Sequence, residues 1–213
     1  GTPNWGTNWG AGDVMYANLD GKEGVNNGSN TLEDHGDLTI IGNNTPRYNF
    51  GLTLTGAWKG FDFSVFLQGV MKRDYWLDGP YFWGANGGLW QSTAFKEHMD
   101  YWRPEGDPLG ANTNAYYPKP YFNTDKNQKV QSGYLQNAAY CRLKNAQIGY
   151  TLPKTWTRKA AMESVRVYVS GDNLVTFSGI SGVFDPELLG SDWGDGKLYP
   201  LQRTISIGLN VNF

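Results

Sequence analysis

Long hydrophobic runs are missing from this sequence of 213 residues. No stretch approaches the roughly 18 apolar residues that a membrane-spanning helix needs, so helical membrane spans are excluded. Cysteine is nearly missing as well, and the single Cys141 excludes an internal disulfide framework. Charged residues are few and their signs almost cancel, with a formal net charge of −2. The sequence therefore has no basic stripe of the kind that binds nucleic acid.

Catalytic motifs are also missing. The two histidines, His35 and His98, lie far apart along the chain, and neither has a serine or cysteine motif beside it. Asp185 and Glu187 are neighbouring acids, but glycoside hydrolysis needs two carboxyl groups held across one bond in a protected cleft, and no pattern here predicts that. We therefore expect a protein that is not an enzyme and has no cofactor.

A degenerate calcium loop is the nearest approach to a metal site. Residues 18–37 contain several acids and asparagines, but Lys22, Gly24 and Asn26 stand where regularly spaced acids would be needed. This spacing favours an ordinary surface turn, and we expect no metal site.

Aromatic side chains, in contrast, are abundant, at 15% of all residues with nine Trp and thirteen Tyr. An ordinary hydrophobic core does not need so many. Trp and Tyr form the girdles of transmembrane β-barrels at the two lipid interfaces, and they also line loops that stack on sugar rings.

The last ten residues, 204–213, alternate without exception between apolar and small or polar side chains and end on the aromatic Phe213. Side chains of a β-strand point to opposite faces in turn, so this pattern predicts a strand with one apolar face. A tilted strand of about ten residues can cross a bilayer, with lipid on one side and a wet lumen on the other. The edge strand of a soluble sandwich has a similar pattern.

Four earlier segments, 47–57, 61–71, 140–152 and 165–175, alternate in the same way. The connections at 58–60 and 153–164 are short, whereas those at 72–139 and 176–203 are long. Short turns on one side and long loops on the other are typical of outer-membrane barrels, while a compact soluble domain rarely has loops of this length. Within the second short connection, the pattern predicts a short helix with Thr155 as its cap.

We therefore predict an all-β fold, an antiparallel transmembrane β-barrel segment with long extracellular loops, in the outer membrane of a Gram-negative bacterium. With the carboxyl end on the periplasmic side, the chain divides into an extracellular loop region (1–45), a strand hairpin (46–72), a long extracellular loop (73–138), a strand pair with a periplasmic turn (139–175), an extracellular loop (176–202) and a closing strand (203–213). Two alternatives stay open, a soluble β-sandwich lectin and a passive porin-like barrel.

Several motifs occur in the order found in one known family. They are GDVMY at 12–16, LTIIGN at 38–43, YNFG at 48–51, KGFDFSVFLQG at 59–69, YFN at 121–123, NAAYCRLKN at 137–145, IGYTLP at 148–153, RVYVSGDNL at 166–174, FDPE at 184–187 and YPLQRT at 199–204. Through them the sequence resembles the SusC/RagA-type TonB-dependent transporters. Their shared order is highly specific, and it covers nearly all of this chain but only the carboxy-terminal part of a family member.

The resemblance implies a large plugged barrel to which this chain contributes about the last five strands. It further implies import of oligosaccharides or peptides, energised by an inner-membrane TonB complex, with a SusD-like surface lipoprotein as a lid on the extracellular loops. No part of the sequence matches the family's plug or TonB-contacting segment, and its first residues have no signal-peptide pattern. We therefore expect the plug and the remaining barrel to lie outside this sequence. Phe213 is similar to the terminal aromatic residue that the outer-membrane assembly machinery reads.

The candidate ligand surface lies in the long loop after the second strand. Its rings are Trp76, Tyr81, Phe82, Trp83 and Trp90, and the glycines between them suit stacking on sugar faces, with Asp78 and Asn86 near for hydroxyl groups. The alternative is that the rings pack against neighbouring loops or the lid protein. We favour this alternative, because so long a loop must bury some of its side chains to be ordered. The spacing in 92–102 predicts a helix that begins at Ser92 or Thr93 and belongs to the loop architecture.

Overall fold

The computed structural model describes residues 8–84, 94–121, 126–190 and 195–213. The chain forms two compact units. The loop unit consists of Gly1–Gly42, Trp76–Leu135 and Asp192–Asp195, and the sheet unit consists of Asn43–Tyr75, Gln136–Ser191 and Gly196–Phe213.

The sheet unit is an antiparallel meander. Its strands β1 (Arg47–Trp58), β2 (Phe61–Lys72), β4 (Gln136–Thr151), β5 (Ser164–Gly179) and β6 (Thr204–Asn212) pair in that order, and the two-residue β3 (Asp74–Tyr75) pairs with the start of β4. All five predicted strands are present and antiparallel. β4 begins four residues earlier than the alternation predicts, because its first residues pair with β3. β5 ends four residues later than predicted, because its last residues pair with the first half of β4.

Two short connections close the strand pairs. Lys59 and Gly60 join β1 to β2, with φ values of 49° and 88° that fit the two-residue hairpin turn matching the twist of the strands. β4 and β5 are joined by the helix α2 (Lys154–Thr157) and a 3₁₀ turn at Arg158–Ala160. The short helix is present as predicted, but the prediction that Thr155 caps it is wrong, because the cap is Pro153. The proline ring fixes φ, which is −58° here, and proline has no N–H group that would need an acceptor.

The pairing register gives the sheet one apolar face and one polar face. One row across the strands, on the apolar face, is Gly56, Phe63, Ile148, Val169 and Ile207. The adjacent row, on the polar face, is Thr55, Ser64, Gln147, Ser170 and Ser206. The four large side chains of the first row are 42–79% exposed, so the apolar face does not cover a core among the described residues of this unit.

A bulge at Lys144 keeps these faces continuous along β4. Phe66 of β2 pairs with Asn145 and Leu67 pairs with Leu143, so Lys144 is an extra residue without a partner in β2. Because side chains alternate, one extra residue moves everything beyond it to the opposite face. Arg142 therefore shares the polar face with Gln147, although their residue numbers differ by five, which would place them on opposite faces of a regular strand.

The loop unit is made of short elements. They are the helix α1 (Pro80–Trp83), 3₁₀ turns at Lys96–Met99, Lys126–Gln128 and Ser132–Tyr134, and single bridges joining Tyr101 to Tyr117 and Arg103 to Asn112. The helix predicted over 92–102 is wrong: its described residues form only the 3₁₀ turn Lys96–Met99. Beyond that turn, Tyr101 and Arg103 form bridges with Tyr117 and Asn112 instead of helical hydrogen bonds. Ser92 and Thr93, its predicted start, lie outside the described residues. Across the part of the chain that the structure describes, no helix is long and apolar enough to cross a membrane.

Candidate functional site

An aromatic cluster in the loop unit contains four of the predicted ligand residues. Gly79, at φ 91°, turns the chain into α1, and Pro80 occupies the first turn of this helix. Phe82 and Trp83 are 1% and 6% exposed, and their rings meet edge to face with centroids 5.0 Å apart. These two rings are therefore interior residues of the loop unit.

Tyrosines from a distant part of the loop unit complete the cluster. Tyr134 lies 5.0 Å from the Trp83 ring and Tyr117 lies 5.7 Å from the Phe82 ring, both edge to face. The Tyr134 hydroxyl donates to the Tyr116 carbonyl at 2.6 Å. Burial raises the pKa of the Tyr117 and Tyr134 hydroxyls above their ordinary value, so both rings stay neutral at physiological pH.

Trp76 and Tyr81 lie at the border of the cluster and are half-buried. The Trp76 ring lies 5.7 Å from Trp83, and Tyr81 stacks on Phe95 at 5.6 Å. The indole Nε1 of Trp83 is buried without an acceptor among the described residues. Trp90, the fifth predicted ligand residue, lies outside the described residues. Ligand contact by these five residues stays a prediction.

His98 joins two parts of this cluster. Its Nδ1 accepts the Phe95 N–H at 2.9 Å, so the proton lies on Nε2, which donates to the Phe82 carbonyl at 3.1 Å. The ring also packs against Tyr117 at 5.4 Å. No local sequence pattern indicates this role of His98, because its partner Phe82 is 16 positions away.

A buried ion pair organises another part of the loop unit. The Lys126 ammonium lies 2.8 Å from the Asp13 carboxylate, and both side chains are almost fully buried. Burial alone would raise the pKa of Asp13, but hydrogen bonds from Lys126, Asn127 and the Gly10 amide outweigh it and hold the pKa below its ordinary value. Burial likewise acts to lower the pKa of Lys126, and Asp13 and Tyr121 together raise it above its ordinary value. Both groups therefore remain charged over a wide pH range.

The segment compared with a calcium loop is closed by its own hydrogen bonds. The Asp37 carboxylate accepts the backbone N–H groups of Leu19, Asp20 and Asn26. These bonds lower the pKa of Asp37, and the Lys22 ammonium lies 3.4 Å from Asp20. Within the described ranges, no three His, Cys, Asp or Glu side chains are grouped so as to hold a metal ion.

The paired acids after β5 are held by cations of β4. Arg142, 3% exposed, contacts Asp185 at 2.6 Å and the Thr176 hydroxyl at 2.8 Å. Glu187 lies 3.3 Å from Arg142 and 2.7 Å from Lys144. The bulge at Lys144 places both cations toward the acids. The arrangement fastens the segment after β5 to the sheet, and nothing in it resembles a pair of carboxyl groups facing across a substrate bond.

Phe213, predicted as an assembly signal, follows directly after β6 and is 90% exposed. Its ring does not pack within the sheet unit. Its exposure agrees with a residue that acts through recognition, and the role itself stays a prediction.

No family model matches the sequence. Among curated relatives, the TonB-dependent receptor P3 of Formosa agariphila is 30% identical over 215 residues, which cover 95% of this chain and 19% of that receptor. The TonB-dependent receptor SusC of Bacteroides thetaiotaomicron is 26% identical over 193 residues, 88% of this chain and 17% of SusC. These matches confirm the resemblance to SusC/RagA-type TonB-dependent transporters.

Solved structures agree with this family in fold. The RagAB peptide transporter matches with a TM-score of 0.59 and 27% identity over 82% of this chain and 18% of that one. The RagAB peptide importer in its open-open state matches with a TM-score of 0.58 and 26% identity over the same shares. The antiparallel sheet of this chain therefore has the fold of part of a TonB-dependent transporter barrel. The chain spans about a fifth of the length of the curated relatives it matches.

Proposed function

We propose that this chain forms part of an outer-membrane active importer that takes up oligosaccharides or peptides, energised by TonB and working with a SusD-like surface lipoprotein. The similarity to SusC and to the RagAB peptide transporter supports the importer role. The role is that of a transporter rather than an enzyme.

The apolar face of the sheet carries this proposal. Large apolar side chains such as Ile148 and Ile207 are more than half exposed there, while the opposite face is lined by Ser, Thr and Gln. A soluble protein rarely exposes so extended an apolar surface, whereas lipid covers it without cost. The multi-pass barrel wall of a Gram-negative outer membrane is the environment that suits both faces.

The lengths of the connections support an orientation of the sheet in the membrane. We assign the turn at Lys59 and Gly60 and the connection after β4 to the periplasm, and residues 1–45, 73–138 and 176–202 to the extracellular side. Trp58 and Trp156, both well exposed at the short-turn end of the sheet, suit the lipid interface there. The closing strand 203–213 then runs from outside to periplasm, with Phe213 as the assembly signal.

The lid and the ligand meet the extracellular loops in this arrangement. Among the predicted rings that the structure describes, Trp76 and Tyr81 still have free surface, so they are the members of the cluster best able to touch a ligand directly. Trp83 and Phe82 would contribute by fixing those rings in place. The Trp83 N–H, which has no acceptor among the described residues, would donate to a polar ligand atom. The plug, the TonB contact and the remaining barrel belong to other parts of the transporter.

Uptake by the full-length transporter tests the proposal. Cells with and without the transporter gene are given labelled maltohexaose or a labelled pentapeptide, before and after a protonophore collapses the proton-motive force. We expect uptake that needs both the gene and the proton-motive force. Uptake that survives the protonophore would instead indicate a passive porin-like barrel, and release of the protein from membranes by salt alone would indicate a soluble glycan-binding protein.

A further inference from the structure

A cleft of about 810 Å³ opens in the loop unit beside the Asp13–Lys126 pair. Its walls come from residues 15–41 and 126–132. Val25 is buried within it, and Leu19, Leu38, Ile41 and Val130 stand exposed around it. Exposed apolar side chains gathered around one concavity of this size are typical of a binding site.

The two buried or half-buried charges of the cleft wall are already satisfied. The Lys126 ammonium donates to Asp13 and to the Asn8 carbonyl, at 2.8 Å and 2.6 Å. The Asp37 carboxylate accepts three backbone N–H groups of its own loop. Neither group has to be met by an opposite charge. Lys129, the third charged residue of the lining, is exposed to solvent, so the cleft suits a neutral occupant.

Gln131 offers the cleft an unused hydrogen-bond donor. Gln131 is one of the residues that line the cleft, and its buried side-chain Nε2 has no acceptor in the part of the chain that the structure describes. A buried donor without an acceptor is destabilising, so a ligand that brings an oxygen to this atom is favoured. Peptides carry such a carbonyl oxygen at every residue.

The apolar lining of the cleft favours a peptide over a sugar as its ligand. Sugar rings stack on flat, exposed aromatic faces, whereas the apolar surface here is mostly aliphatic. Tyr16 is the one aromatic among the described lining residues, and its ring meets Trp9 edge to face at 6.0 Å. Aliphatic side chains of a peptide match this surface better than a pyranose does.

We infer that this cleft is a substrate subsite that binds a neutral peptide segment, with aliphatic side chains against Leu19, Leu38 and Ile41 and one backbone carbonyl on Gln131 Nε2. The inference rests on the proposed importer function. It makes peptides the substrate class at this subsite and places the subsite outside the aromatic cluster.

The test uses the full transporter, purified in detergent with its lid lipoprotein, and a capped pentapeptide of alanine, leucine and valine as the probe. Gln131→Glu keeps the side-chain shape and removes both N–H donors, and Leu38→Asp places a charge at the mouth of the cleft. We expect each variant to weaken peptide binding at least tenfold in calorimetry. Leu32→Asp is the matched control, because Leu32 is 93% exposed but does not line the cleft, and its affinity should be unchanged.

Unchanged peptide affinity in both cleft variants overturns the inference. So does binding of maltohexaose that is tighter than that of the peptide and is weakened by both variants. If both variants lose the lid lipoprotein but the remaining transporter binds the peptide normally, the cleft is a contact for the lid lipoprotein. That outcome also overturns the inference. Energised uptake distinguishes failure of this inference from failure of the importer role. If the transporter binds the peptide but shows no energised uptake, only the importer role is contradicted. If energised uptake is present and both variants bind the peptide normally, only the subsite is contradicted.

Discussion

The Arg166 guanidinium binds the Asp62 carboxylate across a strand that lies between them. Arg166 belongs to β5 and Asp62 to β2, and β4 passes between the two with Gly149 at the crossing. Two hydrogen bonds join the side chains, one of them Nε to Oδ2 at 2.9 Å. A Cβ atom at position 149 would lie 2.5 Å from Arg166 Nη2, closer than real contacts allow. The pair can span three strands because position 149 has no side chain.

We predict that Gly149→Ala displaces Arg166 and destabilises the barrel by about 1–3 kcal/mol, the usual range for overpacking. Urea unfolding of the full transporter in detergent, followed on gels by heat modifiability, measures the effect. In an Asp62→Ala/Arg166→Ala background the same substitution should cost much less, because no guanidinium stands over the glycine. Equal costs in the two backgrounds would contradict this explanation.

We predict that the Asp13–Lys126 pair stabilises this part of the loop unit over a middle range of pH, with an acid edge and an alkaline edge at which the stabilisation is lost. The pKa of Asp13 is lowered from 3.8, so its contribution is complete above about pH 4 and is lost as the pH falls through the lowered value. The pKa of Lys126 is raised from 10.5, so its contribution is complete below about pH 10 and is lost as the pH rises further. Hydrogen exchange of the Val14 amide, which donates to Asn127, reports on this region after correction for intrinsic rates.

Asp13→Asn is the control for that measurement. It keeps an acceptor for Lys126 but removes the titrating carboxyl group, so protection should be lower and the acid edge should vanish. An acid edge that persists in Asp13→Asn would assign the loss of protection to another carboxyl group.

Trp83 is expected to act mainly through packing. Trp83→Ala removes a buried ring from contact with Phe82 and Tyr134, which leaves a cavity and costs about 3–5 kcal/mol of local stability. Limited proteolysis with mass spectrometry should then show faster cleavage within 76–84 and 94–121. Trp76→Ala, at a half-buried position, should change cleavage less. Full protease resistance in Trp83→Ala, together with lost ligand binding, would instead make Trp83 a direct ligand contact.

Phe213 is expected to matter for insertion and not for folding stability. Its ring is 90% exposed, so its removal takes no contact away from the sheet. Phe213→Ala and deletion of Phe213 should each lower the amount of transporter in the outer membrane several-fold, whereas Phe213→Tyr should retain it. Quantitative immunoblots of membrane fractions measure this, with Asn212→Ala as a neighbouring control. Normal insertion of both Phe213 variants would remove the signalling role.

The strands were predictable because their signal is local. In β6, apolar and polar side chains alternate from Ile205 onward, and no contact with another segment is needed to read this pattern. The bulge at Lys144 was not predictable, since an extra residue becomes visible only when β4 is aligned with β2. The helix predicted over 92–102 failed for a related reason: apolar spacing typical of a helix also occurs where Tyr101 pairs with Tyr117.

The candidate site was predictable only in composition. A concentration of rings near Trp83 indicates an aromatic cluster, but the sequence could not tell which rings face inward. Burial of Phe82 and Trp83 depends on Tyr117 and Tyr134, which arrive from segments more than thirty positions away. The cleft near Gln131 depends on the packing of two distant segments, so no single motif could have revealed it.

The bulge at Lys144 makes β4 more sensitive to changes in length than to changes in residue type. Deleting this one residue would shift the first half of the strand by one position relative to the second. Arg142 would then turn toward the apolar face of the sheet, and Asp185 would lose its counterion in the same event. A single-codon deletion here should therefore be eliminated by selection much more strongly than most substitutions along the strand, and the length of β4 should vary little among functional descendants of this protein.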